Sequence, residues 1–169
     1  MNDTAPTDQI PGQVIDIHEF RSALAQFATG ITVITTTASD GRKIGVTVNS
    51  FNSVSLHPPL VLWSLANKSS SLSAFLACTH FAVNILAADQ QDLAQRFSMH
   101  SADKFSGLPT DTGLGGGLLL PGCVAQFQCR NKSQYPEGDH TILIGEVLQF
   151  ACSDKSPLIY HNRQYHAGF

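Results

Sequence analysis

Residues 31–48 read Ile31-Thr-Val-Ile-Thr-Thr-Thr-Ala-Ser-Asp-Gly-Arg-Lys-Ile-Gly-Val-Thr-Val48, two β-branched runs on either side of Ser39-Asp40-Gly41. Val, Ile and Thr suit the pleated surface of a strand, and Asp-Gly supplies a tight reversal, so the stretch predicts a hairpin of residues 31–37 and 44–48. Working outward, apolar and β-branched runs predict further strands at 60–65, 81–86, 123–130, 141–151 and 158–160, with a strand-like tail around Tyr165. Between them fall three helical patterns, at 16–29, 70–78 and 89–97. In the first, Asp16 is placed to cap, Ile17, Phe20, Leu24 and Phe27 recur at helical steps, and Gly30 is expected to close it. Residues 106–122 are rich in Gly and Pro and read as a loop. Strands outnumber helices, and several connections are too short for a parallel crossover. The expected class is mostly β, an antiparallel barrel with a few peripheral α-helices.

The chain has 169 residues, about one domain by the usual length scale. Residues 1–14 mix Pro, Gly and polar side chains without periodicity and read as a flexible N-terminal arm, so the domain is expected to span 15–169. Its 23 charged residues are fewer than its 28 Ser and Thr, and the formal net charge is −3. Such a chain offers no clustered Lys and Arg for nucleic acid. No basic segment precedes an apolar one at the N-terminus, and no apolar run approaches the roughly 18 residues of a membrane span, so a cytoplasmic location is expected. Cys78, Cys123, Cys129 and Cys152 lie in mainly apolar surroundings at spacings unlike a zinc ribbon, and read as buried reduced thiols. Seven dispersed His complete no ligand cluster, so no metal is expected. The run Gly113-Leu-Gly-Gly-Gly-Leu118 departs from GxGxxG at Leu118 and precedes no helix pattern, and the phosphate-loop and hydrolase signatures are missing.

Three segments combine polar residues with tight geometry. In Gly45-Val-Thr-Val-Asn-Ser-Phe-Asn-Ser-Val-Ser55, Thr47, Asn49, Ser53 and Ser55 would share one strand face, unless the strand breaks at Asn49-Ser50. Small donors and acceptors on one face suit the polar edge of an aromatic heterocycle; the alternative is an ordinary solvent-facing strand. Asn67-Lys-Ser-Ser-Ser71 leads into a helix pattern, so hydroxyls, backbone N–H groups and a cation would form a phosphate site, with Lys104 as a second cation; simple capping and a solvated lysine are the alternatives. In Gly138-Asp-His140, a turn sets His140 at a strand mouth, where its ring can donate to a ligand or shuttle a proton, or serve structure alone.

Together with Phe27-Ala-Thr-Gly-Ile-Thr-Val-Ile-Thr-Thr36, Ser53-Val-Ser-Leu-His-Pro-Pro-Leu-Val-Leu62, Phe81-Ala-Val-Asn-Ile-Leu86 and Asp103-Lys-Phe105, these segments run in one order over residues 18–169. In that order the chain resembles the flavin reductase family with the FMN-binding split-barrel fold, specifically the short reductase components of two-component aromatic monooxygenases. The resemblance implies an NAD(P)H-dependent oxidoreductase passing a hydride from NADH, or NADPH, to FMN or FAD and releasing reduced flavin to a separate oxygenase component. It implies that Thr47, Val48, Asn49 and Ser50 contact the isoalloxazine edge, that Ser53, Val54 and Ser55 continue that wall, and that Asn67, Ser69, Ser70 and Lys104 hold the phosphate. His140 would orient the nicotinamide, and the protein would be a homodimer. A flavin-binding protein without catalysis, or an oxidase that retains its flavin, are the alternatives on the same barrel. The chain carries Arg163 where the family often has Gly. Preorganised donors near the flavin edge would stabilise the charge that a hydride brings.

Overall fold

The computed structural model describes residues 14–100 and 103–168, so the arm expected at 1–14 lies, Val14 excepted, outside the described residues. The elements are helices α1 (Ile17–Leu24), α2 (Leu72–Ala77) and α3 (Gln91–Ser98) and strands β1 (Thr29–Gly30), β2 (Thr32–Thr37), β3 (Lys43–Val48), β4 (Asn52–Leu56), β5 (Pro59–Ala66), β6 (His80–Ile85), β7 (Asp111–Thr112), β8 (Leu118–Leu119), β9 (Ala125–Glu137), β10 (His140–Cys152), β11 (Leu158–His161) and β12 (Gln164–Ala167). The mostly β class is as expected.

Seven strands form one sheet in the order β3-β2-β6-β9-β10-β5-β4, each neighbour antiparallel. The predicted hairpin is β2–β3, with Thr32 opposite Val48 and Thr37 opposite Lys43. Strands β3 and β5, with four strands between them in that order, also lie close in space. Strand β2 is buried on both faces, and its alternation sends Val33 to one core and Ile34 to the other. The first core holds Phe97, Phe105, Leu118 and Leu158 around α3 and the long loop. The second is built on Trp63, with Phe75 edge-on at 4.9 Å and Phe81 at 5.7 Å between ring centroids.

Local chemistry explains where the expectations shift. Asp16 does cap α1, accepting from His18 N at 2.7 Å and Glu19 N at 3.1 Å, but the helix ends at Leu24 and Gly30 lies in β1. No residue of α1 is buried. Residues 106–122 include the short pair β7–β8 and a single 3-10 turn. Fully buried Asn84 pins this loop to the sheet: its amide donates to Val33 O and Leu118 O, both at 3.1 Å, and its oxygen accepts from Leu120 N at 2.9 Å and Gln126 Nε2 at 2.8 Å. The thiol expectation holds for buried Cys123 and Cys129, whose pKa values burial pushes up to about 12. It fails for exposed Cys152, at the end of β10, and Cys78 is half-buried. Among the described residues no helix is long and apolar enough to cross a membrane.

Candidate functional site

Strand β3 is an edge of the large sheet, and the connection leading into α2 and the C-terminal end of α3 flank it. A cleft runs along it in two lobes that share Ser70, Ser71, His100 and Lys104. The outer lobe, about 330 Å³, adds Arg42, Lys43, Gly45 and Phe105. The inner lobe, about 400 Å³, adds an apolar wall of Val46, Leu65, Ala66, Phe97 and Met99, with Lys68 and Ser69 at its rim. Gly45 lets β3 pack closely on two rings of the cleft: a Cβ there would stand 2.5 Å from Phe97 Cε1 and 3.0 Å from Phe105 Cζ.

Lys104 stands at the junction. Its ammonium donates to Phe97 O at 2.8 Å and Gly45 O at 3.2 Å, which leaves one of its three donors for a ligand. Burial holds its pKa below the ordinary lysine value. No carboxylate lines either lobe among the described residues. Cations and hydroxyls beside an apolar wall suit a ligand with an anionic tail and a flat ring, and a flavin phosphate has that chemistry.

The other expected site residues are placed as follows. The shared face of Thr47, Asn49, Ser53 and Ser55 does not form. The strand breaks after Val48, β4 pairs at the opposite edge of the sheet, and a register shift falls between Ser53 and Ser55. Thr47 Oγ1 donates to Ala94 O at 2.7 Å and docks α3 on β3. Val48 packs half-buried against the Trp63 core, and Asn49 is exposed in the turn that follows. Ser50 Oγ accepts from Ser64 N at 2.9 Å and donates to Ser64 O at 3.1 Å, clamping that turn to β5. Ser53 and Val54 are exposed, and Ser55 Oγ accepts from His57 N at 3.2 Å.

Asn67 accepts from Thr141 Oγ1 at 2.8 Å and donates to Gly138 O at 3.3 Å, so its side chain braces the β9–β10 turn and does not line the cleft. Ser69 and Ser70 do line it, and Ser69 Oγ accepts from Ser71 N at 3.3 Å. His140 opens β10 opposite Ala66, a residue of the inner lobe. It is exposed, and its Nδ1 lies 2.7 Å from the Asp139 carboxylate, a contact that lowers the Asp139 pKa. That contact engages Nδ1 and leaves Nε2 for a ligand. Sequence reasoning missed Arg42, Lys43 and His100. Arg42-Lys43, the basic pair that follows the Asp40-Gly41 turn, was the available signal.

The description "Flavin reductase like domain" matches residues 24–168. The FMN reductase (NADH) SmoA of Agrobacterium fabrum is 48% identical over 141 residues, covering 83% of this chain and 80% of that protein. The flavin-dependent monooxygenase reductase subunit HsaB of Rhodococcus jostii is 34% identical over 166 residues, covering 98% of this chain and 85% of that protein. The solved NADH:FAD oxidoreductase SgcE6 of Streptomyces globisporus, in complex with NAD and FAD fragments, superposes with a TM-score of 0.84 at 33% identity, covering 91% of this chain and 95% of that one. With a matching domain over nearly its whole described length, this chain belongs to the flavin reductase like domain family.

Proposed function

We propose that this chain is an NADH-dependent flavin reductase that reduces FMN or FAD and hands the reduced flavin to a separate flavin-dependent oxygenase. In a chain of this family, the observation that carries the reading is the cleft along β3: an apolar lobe joined, at Lys104, to a cationic one. Flavin supplies the two-electron acceptor when bound, and the chain's own residues supply placement. Lys104, Ser69 and Ser70 hold the phosphate. Asn49 and the backbone of residues 47–50 offer donors to the ring edge, with Ser53, Val54 and Ser55 as a neighbouring wall. Asn67 acts through the β9–β10 turn, because its polar atoms are already bonded there. His140, oriented by Asp139, positions the nicotinamide. The relatives that serve as reductase components of monooxygenases support the oxygenase partner.

The same reading takes the fold as a split barrel over residues 15–169, supported by the curl of the sheet that brings β3 beside β5. It takes the protein as cytoplasmic and as a homodimer, the latter supported by the uncovered apolar face of α1. The deciding experiment mixes the protein with NADH and, in turn, FMN, FAD and riboflavin without oxygen. Rapid bleaching of flavin absorbance is expected. Flavin that binds but stays oxidised would mark a carrier, and colour that survives dialysis would mark a flavin-retaining enzyme.

A further inference from the structure

We propose that the outer lobe of the cleft is a second anion subsite, in which Arg42 and Lys43 take the second phosphoryl group of a dinucleotide. This rests on the flavin reductase reading and extends it. The junction at Lys104 already provides one ammonium N–H together with Ser69 and Ser70, enough for one phosphate. Arg42 and Lys43 lie beyond it, in excess of what a monophosphate needs. In a chain of formal net charge −3, three Lys or Arg residues line one lobe of about 330 Å³, and no carboxylate does among the described residues.

Each of the two is held where it can serve. Lys43 opens β3, its Nζ donates to Thr110 Oγ1 at 3.1 Å, and it stands 5.9 Å from the Phe105 ring centroid, which lines the same lobe. Arg42 meets the Asp40 carboxylate through Nε at 2.7 Å, so its two terminal nitrogens remain for an anion. Gly45 lines the same lobe together with Lys43 and Lys104. A diphosphate bridging from the junction to this pair would meet cations at both ends.

Two reactants of the proposed reaction carry a diphosphate, FAD and the nicotinamide dinucleotide, and the experiment separates them. Dissociation constants of riboflavin, FMN and FAD are measured by flavin fluorescence, and of NADH by its own fluorescence without flavin, for the natural chain and for an Arg42→Ala/Lys43→Gln double variant. Both side chains are exposed, and circular dichroism checks that the variant is folded. Affinity for FAD or for NADH is expected to fall by about tenfold, with FMN changing by less than about threefold, and the salt dependence of the affected ligand should flatten. Loss on FAD assigns the subsite to the flavin, and loss on NADH assigns it to the reductant. Unchanged FAD and NADH affinities, or equal losses on FMN and FAD with NADH unmoved, would overturn the subsite. If the natural chain still reduces riboflavin, that failure leaves the reductase reading standing; a natural chain that binds neither flavin nor NADH sinks both.

Discussion

At the scale of single residues, His140 and Lys104 carry the sharpest expectations. His140 lies on the strand next to the inner lobe and is steered by Asp139, so it is a positioning group for the nicotinamide more than a flavin contact. His140→Ala should raise KM for NADH by roughly tenfold while the dissociation constant of oxidised flavin changes little. An unaltered kcat/KM for NADH in steady-state assays would remove His140 from the site. Lys104 predicts a pH dependence. Burial favours its neutral form, so the ammonium is lost at lower pH than a solvated lysine would lose it. The phosphate-dependent part of FMN affinity should therefore be present below the lysine's lowered pKa and fall as pH rises through it. Riboflavin, with no phosphate, is the control: a parallel fall in its affinity between about pH 7 and about pH 10 would assign the effect to another group. Lys104, Ser69 and Ser70 were legible as residues because their chemistry is local. Arg42 and Lys43 were not, because a basic pair beside a turn looks like a solvated surface until the fold sets Lys104 near it.

At the scale of elements, periodicity located the β2–β3 hairpin and the strands around Trp63, where burial imposes a pattern on the chain. It failed for residues 47–55. Alternation alone cannot reveal that Ser50 is clamped to Ser64, nor that the segment turns there and crosses to the far edge of the sheet. Residues chosen as one face thus serve two strands. Strand β3 also shows how an element and the cleft depend on one glycine. A methyl group at Gly45 would meet the buried ring of Phe97 at 2.5 Å, and its carbonyl is one of the two that hold Lys104. Gly45→Ala should lower stability by about 1–3 kcal/mol, read as a shift of the urea midpoint at constant slope. It should also weaken FMN binding, because the Phe97 ring and the Lys104 ammonium move together. A variant with the natural midpoint would mean that α3 yields without cost.

At the scale of the whole molecule, α1 presents an apolar face that the described residues leave uncovered. Ile17, Phe20 and Leu24 are 53%, 48% and 58% exposed, although their spacing is that of a helix face made to be covered. Burying such a side chain contributes about 1.5–3 kcal/mol, a gain that folding of one copy leaves uncollected. In the proposed homodimer a two-fold contact would collect it twice, since the same patch serves both subunits. The two states separate on one variant pair. If α1 stays uncovered, Phe20→Asp and Leu24→Asp replace exposed apolar atoms by exposed charge and should change stability by less than about 0.5 kcal/mol. If α1 is the interface, each change places two carboxylates in an apolar contact; light scattering should report half the natural mass, and the melting temperature should lose the dependence on protein concentration that a dimer has. Circular dichroism of the same samples distinguishes a folded monomer from an unfolded chain. A natural protein of monomer mass would overturn the homodimer.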